Sequence, residues 1–235
     1  AVLALLRVHH GASAAGEGAW ASGLLLFMGL FSMGVAAVFM IGQRDFKRTL
    51  GYSSIEHMGI LALGVGVGGA ALRGTLLHVL TNAVTKGVIF LAAGNIHRAY
   101  LSKSLDDVRG AMRRVPVSGP LFLVAFLAIT GSPPFGPFAS EYSILIGAFA
   151  AGRFGAGALF LAFLMVVFLG MGRVVLPVVF GRPPAPAMRT PYRERFLTCA
   201  PVLGLAAVSL LLGLWTPPPL DGLLADAVRY LGGPG

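Results

Sequence analysis

The segment LLHVLTNAVTKGVIFLAAGN, residues 76–95, is apolar enough to lie in a lipid bilayer, yet Lys86 stands in its middle. A helix needs about 20 such residues to cross roughly 30 Å of hydrocarbon. A charged side chain at that depth costs at least ~2.5–3.5 kcal/mol on insertion scales, so it usually faces a partner or a water-filled cavity. The stretch predicts a membrane-spanning helix with a functional lysine inside it.

The composition of the whole chain is that of an integral membrane protein. Of its 235 residues, 56% are hydrophobic and 11% are charged, whereas soluble domains carry roughly a quarter charged residues. The single cysteine, Cys199, excludes internal disulfides, CxxC zinc motifs and cysteine-ligated iron–sulfur clusters built by this chain. We therefore expect no cofactor, no metal and no redox catalysis in this chain. The net charge of +9 does not by itself indicate a nucleic-acid partner, and we expect none.

Six segments are apolar and long enough to span the membrane, namely about 20–41, 53–71, 75–97, 118–150, 154–180 and 197–215. The fourth is interrupted by GSPPFGP at 131–137, because prolines lack a backbone donor and disfavour helical geometry before them. Such a break survives in a membrane only where protein or water covers the freed backbone groups. The sequence predicts an all-α integral membrane fold of about six transmembrane helices, with a short amphipathic helix at 220–233.

The ends of the chain are interpreted separately. Residues 1–19 hold an apolar run that is too short to span, and the order of its charges does not fit a secretory signal. We expect them to be the end of a helix and a loop from a longer protein. Residues 20–180 form the main transmembrane unit. Residues 181–235 comprise a loop, a final transmembrane helix and the amphipathic tail.

Basic residues are divided unequally between the two sides of the membrane. With six crossings, the loops at 42–52, 98–117 and 181–196 share one side, and this unequal division predicts that it is cytoplasmic. The twelve basic residues on this side are Arg44, Lys47, Arg48, Arg98, Lys103, Arg109, Arg113, Arg114, Arg182, Arg189, Arg193 and Arg195, against Arg7, Arg73, Arg153 and Arg229 on the other.

His78, Asn82 and Lys86 recur at intervals of four and share one stripe of their helix. For Lys86 alone, the alternative is a side chain that extends to the headgroups. For His78 alone, the alternative is a packing histidine with satisfied hydrogen bonds. Their common stripe favours a functional site over both alternatives.

Three other polar residues are candidates. Glu141 is the acid of the fourth span and follows its break. Freed backbone groups at such breaks often mark ion sites. Near a lysine, Glu141 could exchange protons; the alternative is a carboxylate that only caps the second half-helix. His57 can pass protons between the cytoplasm and the membrane interior, since histidine titrates near neutral pH. The alternative for His57 is an interfacial residue, and that is the interpretation we prefer for Glu56.

Three motifs carry a family resemblance. DFKRTLGYSSIEHMG (45–59), LLHVLTNAVTKGVIFLAAGNIH (76–97) and ITGSPPFGPFASEYSIL (129–145) together resemble the antiporter-like membrane subunits of respiratory complex I, Mrp antiporters and membrane-bound hydrogenases. The sequences of these motifs are most similar to those of component F of hydrogenase-4. The resemblance extends from about residue 20 to 150, with a looser match to the end.

The resemblance implies a fold and residue roles. Residues 20–180 would form the second of two inverted five-helix repeats, each with one broken helix. By motif, Lys86 matches the family's central proton-carrying lysine, His78 matches a histidine before it, and Glu141 matches the charged residue after the second break. Asn82 departs from members that have a second histidine there. With His57, these residues form the predicted proton relay.

The resemblance also implies a proton-translocating subunit of a redox-driven complex in the plasma membrane of a bacterium or archaeon. Its partners would be other membrane subunits, a peripheral hydrogenase or dehydrogenase arm, and the lipid bilayer. Two alternatives remain, namely a subunit of a secondary Na⁺/H⁺ antiporter of the Mrp type and a non-conducting membrane scaffold. Neighbouring genes distinguish the first two classes. If the chain is a non-conducting scaffold, replacing Lys86 with an uncharged residue should leave ion movement and coupled activity unchanged.

Overall fold

The structure, a computed structural model, describes residues 2–182 and 190–232. Every regular element within these residues is a helix, which confirms the predicted all-α fold. The described helices are α1 (Val2–Ala14), α2 (Gly18–Ile41), α3 (Phe46–Val67), α4 (Ala71–Tyr100), α5 (Ala111–Arg114), α6 (Ser118–Ile129), α7 (Gly136–Ala150), α8 (Phe154–Phe180), α9 (Phe196–Leu214) and α10 (Pro218–Tyr230). Arg189, which the sequence assigns to a cytoplasmic loop, lies outside the described residues.

Each predicted span corresponds to one helix or to the two halves of a broken one. By length and composition, α2, α4, α8 and α9 can cross a membrane, and α6 is a shorter apolar helix. α3 has 22 residues, and at about 1.5 Å per residue it extends about 33 Å. Buried polar residues, among them Glu56 and His57, lower its apolar content. α4 is longer than the predicted span 75–97.

The predicted start of the second span is wrong by seven residues. α3 begins at Phe46 and not at residue 53, because Asp45 caps it. The Asp45 carboxylate accepts hydrogen bonds from the backbone N–H groups of Lys47 at 2.9 Å and Arg48 at 3.1 Å. Such a cap satisfies amides that have no partner inside the helix. The first two turns are polar, so hydropathy alone excludes them.

The predicted break in the fourth span is present between α6 and α7. The backbone N–H of Ser132 donates back to the carbonyl of Leu127 at 2.9 Å, which satisfies part of the carbonyl end of α6. On another side, α9 lies directly on the break, since a Cβ at Gly213 would overlap the backbone of Pro134 and Phe135. Protein therefore covers the irregular backbone, as a membrane environment requires.

The three loops that were predicted to share one side of the membrane meet at one end of the bundle. Asp45 in the first loop forms a β-bridge with Ser104 in the second. Thr190, in the described part of the third loop, donates a hydrogen bond to the carbonyl of Arg98 at 3.0 Å. We call this end the basic-loop end.

The opposite end of the bundle carries α1 and α10. Arg73, near the start of α4, forms an ion pair with Asp221 of α10. The rings of His10 and Tyr230 stack with their centroids 5.2 Å apart. The amphipathic helix predicted at 220–233 is therefore α10, which packs against this end.

α2 and α3 are in backbone contact at glycines. A Cβ on Gly29 would lie 2.6 Å from the backbone nitrogen of Leu63 and 2.7 Å from the carbonyl oxygen of Gly59. Small residues at such positions let membrane helices approach closely. This contact fixes the position of α3, the helix that carries His57.

Gly29→Ala is expected to lower the thermal stability of the detergent-solubilised protein, because the added methyl group must push α2 away from α3. Overpacking of this kind costs about 1–3 kcal/mol. Gly23→Ala on the same helix is the matched control, since a Cβ there has no neighbour within 4 Å. Thermal unfolding of both variants checks this, and equal midpoints would contradict the close contact.

Candidate functional site

α4 places a stripe of polar side chains inside the protein. His78 is fully buried and Asn82 is 7% exposed, while Lys86 is partly buried. Thr81 and Thr85 on the same helix are also buried and extend the polar surface. The stripe predicted from the sequence is therefore directed at neighbouring helices.

The Lys86 side chain reaches α3. Its ammonium group donates a hydrogen bond to the hydroxyl of Ser53, which is fully buried and itself donates to the carbonyl of Leu50 at 3.1 Å. Lys86 Nζ also lies 5.8 Å from the centroid of the Phe90 ring, a distance at which a cation is attracted to an aromatic face. The lysine thus has defined partners inside the protein.

Two histidines join α3, α4 and α7 through hydrogen bonds. His57 Nδ1 and His78 Nε2 are 3.0 Å apart, and both rings are fully buried. His78 Nδ1 lies 2.8 Å from the hydroxyl oxygen of Ser140, which is 3.1 Å from the hydroxyl oxygen of Thr81. Two candidates that lie on different helices are therefore direct neighbours.

Glu141 lies beside these histidines at the broken helix. It is 4% exposed, and a Cβ at Gly131 in the break would overlap its Oε2 atom. Its Oε1 atom is buried and has no hydrogen-bond partner among the described residues. One ligand atom from each of His57, His78 and Glu141 lies within 4.8 Å of the others. We call these three residues the His–His–Glu cluster.

The prediction that Glu56 is an interfacial residue is wrong. The residue is 1% exposed, and its Oε1 atom has no hydrogen-bond partner in the part of the chain that the structure describes. It interacts electrostatically with Lys86 on α4 and with Glu141 on α7. Glu56 follows Ser53 by three residues, so the two share a face of α3. That spacing is the signal in the sequence that could have identified it.

The polar groups of the site differ in whether they can bind and release a proton. Lys86 and His78 are eight residues apart on α4, which corresponds to about 12 Å along the helix. On α3, Glu56 lies between Ser53, which contacts Lys86, and His57, which contacts His78, and its carboxyl group can bind and release a proton. The Asn82 amide cannot, and its Oδ1 atom is buried without a hydrogen-bond partner among the described residues. A carboxylate on α3 thus lies where α4 itself offers no titratable group.

Comparison with known proteins places these residues in a family context. Residues 1–172 match the family model described as "NADH:quinone oxidoreductase/Mrp antiporter, TM". The match includes the break and all four predicted relay residues. The chain belongs to this family. Membership in the NADH:quinone oxidoreductase/Mrp antiporter family confirms the resemblance seen in the motifs, and together with the apolar helices it makes the chain a multi-pass membrane protein.

A curated relative and solved structures agree with this assignment. The chain is 34% identical over 222 residues to the hydrogenase-4 component F homolog of Methylacidiphilum infernorum (isolate V4), which covers 93% of this chain and 45% of the relative. The Mrp complex from Dietzia sp. DQ12-45-1b contains a chain of the same fold, with a TM-score of 0.87 and 21% identity over 98% of this chain and 50% of that one.

Respiratory complex I from Thermus thermophilus gives a TM-score of 0.81 at 26% identity, over 99% of this chain and 49% of the matched chain. This member of the NADH:quinone oxidoreductase/Mrp antiporter family therefore spans about half the length of each of these three proteins.

Proposed function

We propose that the chain is part of a proton-translocating, antiporter-like subunit of a redox-driven membrane complex, such as a group 4 hydrogenase, a formate hydrogenlyase-type complex or a relative of complex I. The observation that carries the proposal is a set of titratable side chains inside the helix bundle. It comprises the buried His–His–Glu cluster, the partly buried Lys86, and the buried Glu56, which interacts electrostatically with Lys86.

The histidine pair supplies one step of the path. A neutral imidazole donates at one ring nitrogen and accepts at the other, so a proton that arrives on one histidine can pass to the other across their 3.0 Å contact. Ser140 extends this step to α7, since a hydroxyl can both donate and accept. Glu141 supplies a carboxylate that can hold the proton beside the pair.

Lys86 supplies a positive charge that responds to proton movement. It interacts electrostatically with His57, His78 and Glu56. A proton that arrives at or leaves one of these groups changes the potential at the ammonium. The protonation of Lys86 is therefore coupled to the protonation of these neighbours, and a proton relay requires such coupling.

The direction of α3 sets the order of the residues along the proposed proton path. α3 runs away from the basic-loop end, so the Ser53–Lys86 contact is nearer to that end than the His57–His78 contact. If the basic-loop end is cytoplasmic, as its charges predict, a proton from the cytoplasm passes Lys86 before it reaches His57. Because His57 is fully buried, it acts inside the path and not at the aqueous entrance.

The same proposal places the protein in the plasma membrane of a bacterium or archaeon, with loops 42–52, 98–117 and 181–196 in the cytoplasm. Its partners are other membrane subunits and a peripheral hydrogenase or dehydrogenase arm. The relative named hydrogenase-4 component F homolog and the fold shared with complex I support a redox-driven assembly. Neighbouring genes for a nickel–iron hydrogenase support it further, whereas a cluster of small antiporter subunits favours an Mrp-type antiporter.

His57→Gln in the full-length subunit is expected to slow proton translocation while the complex still assembles. Glutamine keeps hydrogen-bonding groups at the position, but it cannot bind a proton. Removing a positioned proton-transfer group costs roughly 100-fold or more. The measurement is proton uptake by membrane vesicles per redox turnover. His97→Gln, at the basic-loop end of α4, is the matched control. Normal uptake by His57→Gln would assign His57 to packing.

A further inference from the structure

We propose that the His–His–Glu cluster binds one divalent transition-metal ion such as Zn²⁺, and that the bound ion blocks the relay. The binding site is independent of the proposed function, whereas the blocking effect rests on it. Neither histidine belongs to a metal-binding motif in the sequence, because His57 and His78 lie on different helices. Only the packing of α3, α4 and α7 brings their nitrogens and the Glu141 carboxylate together.

The distances between the ligand atoms suit a small ion with tetrahedral coordination. Zinc binds nitrogen and oxygen ligands at about 2.0–2.2 Å, which places neighbouring ligand atoms about 3.3 Å apart in a tetrahedral site. The facing nitrogens of His57 and His78 are already 3.0 Å apart. One ligand atom from each of the three residues lies within 4.8 Å of the others, so the separation between any two of these atoms needs to shorten by no more than about 1.5 Å. Rotation of the Glu141 side chain supplies movement on this scale.

One histidine is already held in the orientation of a metal ligand. The Ser140 hydroxyl can donate to the carbonyl of Pro137 at 2.9 Å, and while it does so it can accept a hydrogen bond from His78 Nδ1 at 2.8 Å. This arrangement leaves the lone pair of His78 Nε2 directed at His57 and the centre of the cluster. Metal-binding histidines are usually fixed in this way through their other ring nitrogen.

The buried acids point to a cation independently. Glu141 Oε1 is buried with no hydrogen-bond partner among the described residues, and an ionised carboxylate in that condition is costly. Glu56, equally buried, interacts electrostatically with Glu141, but it also faces the ammonium of Lys86. Glu141 is therefore the acid of the cluster that lacks a cation among the described residues, and a metal ion would supply one.

The donor set selects the class of ion. Two of the three donors are imidazole nitrogens, which suit zinc and its neighbours, whereas Na⁺, Mg²⁺ and Ca²⁺ prefer oxygen ligands. Two histidines and one glutamate form a known zinc ligand set that leaves a fourth position open. The cluster should therefore discriminate against Na⁺.

The bound ion would act on the relay directly. Coordination uses the lone pair of His78 Nε2, so this nitrogen can no longer accept a proton from His57. His57 Nδ1 donates the proton in the hydrogen bond between the two rings, so that proton must pass to the other ring nitrogen, Nε2, before Nδ1 can bind the ion. Two metal–ligand bonds then replace the hydrogen bond. A proton that reaches one histidine then has no route to the other.

Cobalt binding to the full-length subunit in its purified complex tests the site. Tetrahedral Co²⁺ held by two nitrogens and an oxygen gives visible absorption bands that are far more intense than the weak band of the hydrated, octahedral ion and lie at longer wavelength. We expect these bands in the wild-type complex and in His97→Gln, with Zn²⁺ displacing the cobalt. In His78→Gln and Glu141→Gln the affinity should fall at least about 100-fold, since loss of a residue that only orients a ligand already costs roughly 10–100-fold. Equal cobalt spectra in wild type and His78→Gln would overturn the site.

The blocking effect is measured separately in vesicles that hold the same complex. Zn²⁺ is expected to slow proton uptake in wild type and in His97→Gln, and a chelator should restore it. Cobalt binding with undiminished uptake in the presence of saturating Zn²⁺ would overturn the blocking role. A complex that moves no protons even without metal contradicts the proposed function, and the cobalt spectrum still decides the site.

Discussion

Lys86→Arg is expected to reduce proton translocation by the assembled complex roughly 100-fold or more, the scale on which a positioned proton-transfer group contributes. Arginine keeps the positive charge and can bond Ser53, but it effectively never releases its proton. Lys86→Met removes the titrating group and keeps an apolar stem, so it should fail equally while α4 still inserts. The measurement is proton uptake by vesicles, normalised to the amount of assembled complex.

A purely structural lysine predicts the opposite order for these two variants. If Lys86 only holds α3 through its hydrogen bond to Ser53, arginine should be tolerated and methionine should impair assembly. Lys103→Met is the matched control, because Lys103 is an exposed loop residue whose ion pair with Asp45 spans 3.5 Å, and such surface pairs contribute little. Normal uptake by Lys86→Arg would exclude the relay role.

The spans could be predicted because the membrane imposes a strong constraint on length and apolarity. The break could be predicted because Pro133 and Pro134 cannot continue a helix with full hydrogen bonding. The start of α3 could not be predicted from hydropathy, since its first turns carry Lys47 and Arg48. Only the capping role of Asp45 marks the true start, and this cue lies outside the apolar run.

The candidate site, too, could be predicted from the sequence only in part. The stripe of His78 and Lys86 follows from the period of one helix, so the sequence reveals it. The contact between His57 and His78 depends on how α3 crosses α4, which no single-helix period specifies. The error at Glu56 follows from the error in α3. A helix that starts at 53 places Glu56 in its first turn, whereas the observed start at Phe46 places it ten residues, or about 15 Å, from the beginning of the helix.

Glu56 then becomes the acid that connects the two halves of the proposed path. It interacts electrostatically with Lys86 on one side and Glu141 on the other. Its distance from Lys86 exceeds that of an ion pair, since no described oxygen of Glu56 lies within 4.0 Å of Lys86 Nζ. Proton exchange over such a distance needs a water molecule between the two groups, and Glu56 is then not restricted to one neighbour.

Glu56→Gln is therefore expected to reduce proton uptake about as strongly as Lys86→Met, roughly 100-fold or more. Glutamine has nearly the same shape, so the complex should assemble, and Glu17→Gln at an exposed position serves as the matched control. The double variant Lys86→Met with Glu56→Gln should be no worse than either single change, because residues that act as one unit are not additive. Uptake by Glu56→Gln at the wild-type rate would remove Glu56 from the path, and a full additive loss in the double variant would show that the two residues act separately.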